Sequence, residues 1–290
     1  MTFDSIATTG PGHAGEIARQ EVDRGAELIL VAGGDGTINE AVNGMAFSDV
    51  PLGILPAGTA NVLACELGIG KSMERAADAL ADSVLERVAL GSITNGVSDV
   101  PRYFLMMAGA GLDADIVYNL NSRLKEATGK VAYWIAGFSK VGQRIPEFTV
   151  QANGREYRAS FALVSRVRNY GGDLEIAPTI SLLDDEFEMV LFEGESSFGF
   201  LKYMLAVVVH QQQSMRGITI LRTRHAVFSS PQDSKIHLQV DGEHVGVAPA
   251  RVEIVPNALT LLVPPGFRAR RPVSVAASVN DAAWTTSPTR

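Results

Sequence analysis

The chain is predicted to be an α/β domain followed by an all-β domain with a β-sandwich architecture. In its first third, short apolar runs such as Leu28–Val31 alternate with segments of helical periodicity and are joined to them by glycine turns, which is typical of a parallel sheet. From Val84 onward short strands and turns replace this alternation. With 290 residues, 46% of them hydrophobic, the chain is long enough for two domains, which we place at residues 1–91 and 92–265.

Four helices and two strands are predicted in the first domain. The first helix is indicated by apolar residues at helical spacing between Ala14 and Val22, and Gly25 is expected to end it. The strand at Leu28–Val31 leads into a second helix, with Asn43-Gly44 as its expected end. A further amphipathic helix is predicted from Met73 to Leu80.

The turn Gly33-Gly34-Asp35-Gly36-Thr37 has the features of a phosphate site. Glycines let the backbone approach a ligand closely, and the N–H groups at a helix start favour an anion. Asp35 would repel a phosphate unless a cation lay between them, so the turn suits phosphate together with Mg²⁺. The same residues also allow a plain connection in which Asp35 caps a helix that begins near Thr37.

A second glycine turn favours the phosphate interpretation. Residues 52–61, LGILPAGTAN, form an apolar strand that runs into a Gly58-Thr59 pair, and a helix that Gly68 ends follows it. Parallel strands end at one edge of an open α/β sheet, where such sheets bind ligands. The two turns are therefore expected to lie side by side.

Together the two motifs resemble a known family. GGDGTINEAVNG followed by PLGILPAGTANVLACELGI is similar to the catalytic domain of the diacylglycerol kinase family, which includes bacterial lipid kinases, sphingosine kinases and ceramide kinases. NAD kinases and phosphofructokinases share the GGDG turn, but P-x-G-T-x-N is typical of the lipid kinase branch. The resemblance covers roughly residues 8 to 265. It implies a three-layer, Rossmann-like first domain of the NAD kinase type and a β-sandwich whose last segment is a candidate to return to the first domain.

The resemblance also implies a function. It implies a cytoplasmic kinase that uses ATP and Mg²⁺ to phosphorylate a hydroxyl of a lipid such as diacylglycerol and that contacts the inner face of the membrane transiently. A homodimer is a candidate assembly. The nucleotide-binding residues that it implies are Thr8, Gly33, Gly34, Asp35, Gly36, Thr37, Asn39, Glu40, Gly58 and Thr59. Without the resemblance, Thr8 would be assigned to a loop or helix cap and Glu40 to a solvated helix face.

Two departures from the family pattern bear on that function. In the family a strand and an Asn-Pro glycine turn precede the segment that matches Thr8–Arg24, and neither is seen here, so an exposed sheet edge is expected. Many members have an acid directly after the Asn of G-T-x-N, where this chain has Val62. One alternative function is therefore a catalytically impaired nucleotide- or lipid-binding protein. Another is a kinase for a soluble nucleotide, in the manner of NAD kinases.

In the second domain the acids Asp113 and Asp241 are candidates for a substrate or metal network, as the resemblance implies. Asp113 follows a predicted strand and opens a predicted helix, where it serves equally well as an N-cap. Residues 130–143 predict an amphipathic helix that packs on the core or, by the resemblance, contacts an acyl chain. Asn153-Gly154 predicts a β-hairpin turn.

Residues 169–192 resemble the family's glycine stretch and its A-P-x-A-x-x-D-D-G segment, with one residue inserted and Asp185 in place of the glycine. By this alignment Asp184 is the side-chain ligand of a structural Mg²⁺, and Ser181 and Glu186 supply backbone carbonyls. Mg²⁺ takes about six oxygens and keeps several waters, so one carboxylate and two carbonyls suffice. Without the resemblance, the segment is an acidic surface turn.

The segment KIHLQVDGEHVGV, residues 235–247, predicts a β-hairpin around an Asp-Gly turn. On this pattern alone Glu243 is a solvated hairpin residue. In the family an Asp-Gly-Glu occupies this distance from the carboxyl end, and its glutamate accepts a proton. The resemblance therefore implies that Glu243 is the general base that takes the proton of a lipid hydroxyl as it attacks the γ-phosphoryl group of ATP.

Composition excludes several other classes. A net charge of −7 without clustered Lys and Arg argues against a nucleic-acid partner. The single cysteine, Cys65, excludes an internal disulfide, and no pair among the five histidines has zinc spacing. The longest apolar run, residues 203–209, is far shorter than the roughly 20 residues that cross a bilayer. Residues 266–290 are predicted to be a disordered tail, whose arginines are candidates for contact with anionic headgroups.

Overall fold

The computed structural model has the predicted fold class, an α/β unit followed by a β-sandwich. It describes residues 4–96, 98–119, 142, 144–171, 174–231 and 234–269. Apart from Gly142, the predicted helix at 130–143 lies outside the described residues. So do residues 172 and 173 of the glycine stretch and residues 270–290 of the predicted tail. Residues 266–269, predicted to begin that tail, are instead helical, and Phe267 is buried.

Seven α-helices are formed by the described residues: α1 His13–Asp23, α2 Asp35–Met45, α3 Val62–Leu67, α4 Met73–Leu80, α5 Leu112–Asn119, α6 Ser197–Val208 and α7 Pro265–Ala269. The described strands are β1 Ile29–Gly33, β2 Leu52–Pro56, β3 Val84–Asn95, β4 Ser98–Phe104, β5 Met107–Gly111, β6 Phe148–Ala152, β7 Arg155–Ala159, β8 Phe161–Ser165, β9 Asn169–Tyr170, β10 Leu174–Glu175, β11 Phe187–Phe192, β12 Ile218–Thr223, β13 His225–Ser229, β14 His237–Val240, β15 Glu243–Val247 and β16 Ala250–Val263.

Strands β1 and β2 are parallel and end at the same edge of the sheet. Their register runs from Ile29 opposite Leu52 to Gly33 opposite Pro56. The chain turns into a helix shortly after each of these last residues, at Asp35 and at Val62. The glycine turns that follow the two strands are therefore neighbours.

Helix α2 does not end at Asn43-Gly44, as the sequence predicts, but continues to Met45. Gly44 lies where α2 crosses α1, and a methyl group added there would collide with the carbonyl oxygen of Gly15. The glycine is thus explained by the close approach of two helices, for which a side chain leaves no room.

The long strand β16 joins the two units. It is antiparallel to β3 along most of its length, with an irregularity between Val255 and Leu259, and it pairs with β2 in parallel at Leu261 opposite Leu52. One sheet therefore has the order β1-β2-β16-β13-β6-β7, with β3 and β4 attached to β16. The predicted Asn153-Gly154 turn is confirmed and connects β6 to β7, with positive φ at both residues.

The second sheet has the order β12-β11-β8-β5-β14-β15. Its strands β11, β8 and β5 are buried on both faces, whereas the edge strands β12 and β15 are partly exposed. In β8, Ala162 and Val164 face the first sheet in one apolar core, whereas Phe161 and Leu163 belong to a second core that also contains residues of α2 and α3. Because side chains alternate between the faces of a strand, a strand buried on both faces reads as a continuous apolar run, as FALVS does here. The α/β unit and the sandwich thus share a core.

A buried ion pair also connects the two units. Glu66 on α3, 1% exposed, binds Arg168 in the β8–β9 connection, accepting from its backbone N–H at 3.0 Å and from Nε at 3.3 Å. Desolvation raises the pKa of Glu66, and Arg168 partly offsets this shift. Removing the arginine would leave a buried carboxylate without its cation.

We expect Arg168→Ala to lower the free energy of unfolding by about 3 kcal/mol, because breaking a buried pair leaves an uncompensated charge. The matched control is Arg251→Ala, which breaks an exposed pair with Glu253 and should cost about 0.5 kcal/mol or less. Urea denaturation followed by circular dichroism measures both. Equal losses in the two variants would show that the Glu66 pair does not hold the units together.

Candidate active site

The two glycine turns touch at the carboxyl ends of β1 and β2. The N–H of Ala57 donates to the carbonyl of Gly33 at 3.0 Å, and a methyl group added at Gly58 would lie 2.5 Å from the Cα of Gly34. An added side chain would force the turns apart. They lie side by side, as the sequence predicts, because glycine permits this approach.

Asn61 closes the second turn from a left-handed conformation with φ of 49°. Its Oδ1 accepts the N–H of Gly58 at 2.9 Å, and its Nδ2 donates to the carbonyl of Gly58 at 2.8 Å. The N–H of Gly58 is thus used within the turn, and a phosphate could reach it only if Asn61 turned away. We therefore assign Gly58 to the close approach of the turns instead of the predicted phosphate contact, and Thr59 lies exposed beside it.

Asp35 caps the helix that follows the other turn. Its two carboxylate oxygens accept the N–H groups of Val62 at 3.1 Å and Leu63 at 3.3 Å, at the start of α3. Burial raises the pKa of this carboxyl, and the two N–H bonds act in the opposite direction. The sequence allows a capping role for Asp35, and Asp35 is a cap. It caps α3 and not the predicted helix near Thr37, because α2 begins at Asp35 itself.

Glu243 lies at the first glycine turn. It is the first residue of β15, and a methyl group added at Gly36 would be 3.0 Å from its Oε1. Its Oε2 forms an ion pair with Nη2 of Arg102 on β4, and both side chains are about one-third exposed. The structure thus places a partly solvent-accessible carboxylate against the glycine turn with a guanidinium beside it.

The turn before Glu243 is held by the buried carboxylate of Asp241. Its two oxygens accept three consecutive backbone N–H groups, from Leu105 at 3.0 Å, Met106 at 3.1 Å and Met107 at 2.8 Å. Asn39 of α2 donates to the same carboxylate at 2.8 Å. Asp241 thereby connects the hairpin, the β4–β5 connection and helix α2.

Asn39 and Asp113 are buried and lie beneath the surface of the site. Asn39 is 1% exposed, so its side chain supports Asp241 and does not reach the surface where a nucleotide would bind. Asp113, fully buried, accepts from the hydroxyl of Tyr170 and from Nε2 of Gln239 at 2.7 Å. Because Gln239 accepts the N–H of Gly242 at 2.9 Å, Asp113 supports the same Asp-Gly turn from its other side.

An open cleft of about 680 Å³ extends from Glu243 and Arg102 along α1 and α2. Glu40 lies in its wall, and its carboxylate accepts the N–H groups of Gly12 at 2.7 Å and Ala14 at 3.2 Å. Glu40 therefore caps the start of α1. The sequence predicts either a nucleotide contact or a solvated helix face for Glu40, and neither prediction includes this capping role. Thr8 is exposed in the segment that precedes α1.

The predicted metal loop lies apart from this cleft, between β10 and β11. Oδ2 of Asp184 accepts the N–H of Ser181 at 3.1 Å and pairs with Nη1 of Arg222 at 3.2 Å. The carbonyl of Ser181 accepts the N–H of Asp184 at 2.9 Å, so the loop is a closed turn. Glu186 follows this turn immediately before β11.

A fully buried arginine links the loop to the hairpin support. Arg166 donates to the carbonyls of Leu182 at 2.7 Å and Leu105 at 3.3 Å, and its Nε has no hydrogen-bond partner among the described residues. Desolvation lowers the pKa of the Arg166 guanidinium to about 10, and the negative charges of Asp185, Asp241 and Asp184 partly offset this shift. Its positive charge helps to offset the buried charge of Asp241.

Comparison with known proteins identifies the family. Residues 1–93 match the diacylglycerol kinase catalytic domain, and residues 106–263 match the YegS C-terminal NAD kinase beta sandwich-like domain. A diacylglycerol kinase of Bacillus subtilis (strain 168) is 31% identical over 249 residues, which cover 84% of this chain and 80% of that relative. The chain belongs to the diacylglycerol kinase family. It is accordingly a kinase.

Other proteins similar to this kinase are also named diacylglycerol kinase. A diacylglycerol kinase of Mycobacterium tuberculosis (strain CDC 1551 / Oshkosh) is 28% identical over 248 residues, covering 84% of this chain and 79% of the relative. The crystal structure of a diacylglycerol kinase from Bacillus anthracis str. Sterne superposes with a TM-score of 0.69 at 21% identity, covering 89% of this chain and 85% of that one. Another structure from the same strain gives 0.75 at 22% identity, covering 90% and 84%. The two solved structures confirm the fold.

Several residues of the site were not found from the sequence. Arg102 carries no motif and meets Glu243 only through the pairing of distant strands. Gln239 and Arg166 are polar residues in or beside apolar strands, and Tyr170 lies in the short strand β9, patterns that are also typical of solvated positions. Burial is the signal that separates them from such positions, and it is visible only in the fold.

Asp241 makes the stability of the kinase depend on pH. Desolvation raises its pKa from 3.8 to about 6 in the folded protein despite its hydrogen bonds. A raised folded-state pKa contributes stability that is fully present below the unfolded pKa and is lost as pH rises through 6. We expect the free energy of unfolding of the wild type, relative to Asp241→Asn, to fall between pH 4 and pH 7.

The measurement is urea denaturation of both proteins across this range. The amide of Asp241→Asn cannot accept all the N–H bonds of the carboxylate, which lowers stability at every pH, so the readout is the slope and not the offset. Glu66 and Asp35 retain their own raised pKa values in both proteins. Parallel curves for the two proteins would contradict the assignment.

Proposed function

We propose that this kinase transfers the γ-phosphoryl group of ATP to a hydroxyl of a membrane lipid such as diacylglycerol. The observation that carries the proposal is the carboxylate of Glu243 against Gly36, with Arg102 beside it, at the end of an open cleft. This geometry supports a base next to a phosphate-binding turn. The names of the relatives support diacylglycerol as the acceptor class.

The nucleotide is assigned to the cleft and the start of α2. A volume of about 680 Å³ lies within the range of small-molecule sites. Gly34, the N-cap of α2, places the positive end of the helix dipole at the first turn, where it favours phosphate oxygens. In this proposal Gly33, Gly36 and Thr37 complete the phosphate turn, and Thr8 and Glu40 lie on the side of α1 where the nucleoside would bind.

In the proposed reaction Glu243 accepts the proton of the lipid hydroxyl as its oxygen forms a bond to the γ-phosphorus. The bond between that phosphorus and the bridging oxygen of ADP breaks in the same step. Arg102 orients the carboxylate and supplies a positive charge at the developing negative charge. A carboxylate is a weak base toward an alcohol, so the proton moves late, and positioning and charge neutralisation provide most of the catalysis.

Mg²⁺ is proposed at two places. With the triphosphate it would neutralise charge on the transferred group, held chiefly by phosphate oxygens and water, since no group of three or more His, Cys, Asp or Glu suited to a metal occurs in the described residues. The loop of Ser181, Asp184 and Glu186 is the proposed structural site. Its carboxylate and carbonyls are the hard oxygens that Mg²⁺ prefers, and the pairing of Asp184 with Arg222 is the arrangement with which the ion competes.

The lipid acceptor is expected in a membrane, which the kinase contacts at the surface as a peripheral protein. In the described part of the chain, no helix has both the length and the apolar character needed to span a bilayer.

We expect Glu243→Gln to lower turnover roughly 100-fold or more, because the amide keeps the shape and loses the basicity. The assay is transfer from labelled ATP to diacylglycerol in mixed micelles with Mg²⁺. Glu253→Gln, at an exposed ion pair of β16, is the control and should retain wild-type turnover.

Near wild-type turnover of Glu243→Gln would contradict the assignment of the base. ATP binding by the wild type without transfer to any lipid of a panel would favour an impaired binding protein, because the site has Val62 where an acid is common in the family. Transfer to a soluble nucleotide without lipid or detergent would favour the NAD kinase-like alternative.

The proposed loop site has a separate test. We expect millimolar Mg²⁺ to raise the midpoint of thermal unfolding of the wild type by a few degrees and to leave that of Asp184→Asn unchanged, because binding to the folded state stabilises it. Asp185→Asn, one residue along the loop, should respond like the wild type. The same Mg²⁺ response in Asp184→Asn would contradict a ligand role for Asp184.

A further inference from the structure

Helix α6 and its C-cap carry four large apolar side chains that are largely exposed in the described structure. Phe198, Leu205, Val208 and the following Val209 are 66%, 61%, 45% and 54% exposed. They are four of the eleven large apolar side chains that the described residues expose, and they fall within one helix and its C-cap. Such a concentration marks an interaction surface, whereas single exposed apolar residues are ordinary.

These side chains form one stripe along the helix. Leu205 follows Phe198 by seven residues, and Val208 and Val209 follow Leu205 by three and four, spacings that share a helix face. The opposite face is buried through Met204 and Val207. Helix α6 is therefore fixed to the core by one side, and in the described structure its outer side is exposed.

Cations outnumber acids in the sequence around the stripe. Residues 196–232 include no Asp or Glu, although the net charge of the chain is −7, and they include four Lys and Arg, of which Arg222 pairs with Asp184. One acid from outside this segment, Glu175, lies 3.8 Å from His210, the residue after Val209. Lys202 lies on α6 between Phe198 and Leu205, and Arg216 lies in the exposed connection after the helix. Apolar side chains with interspersed cations are typical of a helix that lies in the interface of an anionic bilayer.

We propose that the outer face of α6 docks this kinase on an anionic lipid surface. Phe198, Leu205, Val208 and Val209 enter the acyl boundary, while Lys202 extends its ammonium group to the headgroups. The inference rests on the proposed function in that a lipid acceptor must be reached in the plane of its bilayer.

The charge on the stripe favours lipid over a second copy of the chain. In a twofold interface centred on this face, Lys202 would approach its own counterpart, and like charges repel. Anionic headgroups complement Lys202 and Arg216 instead. A second copy is therefore treated as an outcome that the experiment detects.

The test is co-sedimentation of the full chain with vesicles of phosphatidylcholine alone and of phosphatidylcholine with an equal part of phosphatidylglycerol. The variant is Leu205→Glu, and the matched control is Leu85→Glu, which changes a 58% exposed leucine on β3. We expect Leu205→Glu to bind the mixed vesicles at least about tenfold more weakly than the wild type, and Leu85→Glu to bind equally well. Lys202→Gln should lose about fivefold on the mixed vesicles and little on phosphatidylcholine.

Unchanged vesicle binding of Leu205→Glu, with an unchanged unfolding midpoint, would overturn the proposal. A wild-type dimer that Leu205→Glu converts to a monomer without lipid, with vesicle binding unaffected, would also overturn it and assign the face to a second copy. An equal loss in Leu85→Glu would overturn it as well, because the effect would not be specific to α6.

A kinase assay with a short-chain, water-soluble diacylglycerol separates this proposal from the proposed function. Leu205→Glu should keep wild-type turnover on the soluble substrate and lose it on vesicles. Vesicle binding that depends on Leu205, without phosphorylation of any diacylglycerol, would retain the docking surface and overturn the lipid kinase reaction. Phosphorylation of the soluble substrate with vesicle binding independent of Leu205 would do the reverse.

Discussion

The arrangement of the site depends on one buried carboxylate, that of Asp241. Its oxygens bind three consecutive N–H groups of residues 105–107 and the amide of Asn39. These partners belong to the sandwich and to α2 of the α/β unit, so the carboxylate fixes the position of the hairpin with respect to the glycine turn that begins α2. Glu243 follows Asp241 by two residues, and its distance from Gly36 is a consequence of this constraint.

Burying the carboxylate of Asp241 is unfavourable in free energy, and the surrounding residues reduce this penalty. Desolvation raises its pKa to about 6, and Asp241 and Gly242 both have positive φ. The buried guanidinium of Arg166 places a positive charge near Asp241. On the other side of the turn, a series of hydrogen bonds connects Tyr170, Asp113, Gln239 and the N–H of Gly242. A partly desolvated charge and an unfavourable backbone are tolerated where the surrounding structure holds them in place. The result is a glutamate on a rigid strand, which suits a group that must be positioned accurately.

Local patterns predicted the elements but not their long-range partners. The glycine turns, the parallel pair β1 and β2 and the Asn153-Gly154 hairpin depend on residues close in sequence, and all three were predictable. The placement of Glu243 came from the resemblance, since an Asp-Gly-Glu hairpin on pattern alone is solvated. Arg102 and the capping of α3 by Asp35 depend on which strands and turns become neighbours, which short-range periodicity does not encode. The prediction that α2 ends at Gly44 is wrong because a close helix crossing and a helix end both favour glycine.

The capping by Asp35 also explains how the site accommodates Val62. An acid at this position would begin α3 directly beside the carboxylate of Asp35, and two neighbouring carboxylates need a cation between them. Here the side chain of Val62 is buried in the core, and its N–H binds Asp35. Two N–H groups at the start of α3 thus donate to the single carboxylate of Asp35, and these hydrogen bonds join the two glycine turns. A metal-bound triphosphate at this edge would depend correspondingly more on the N–H groups of α2 and on Arg102 than on protein carboxylates.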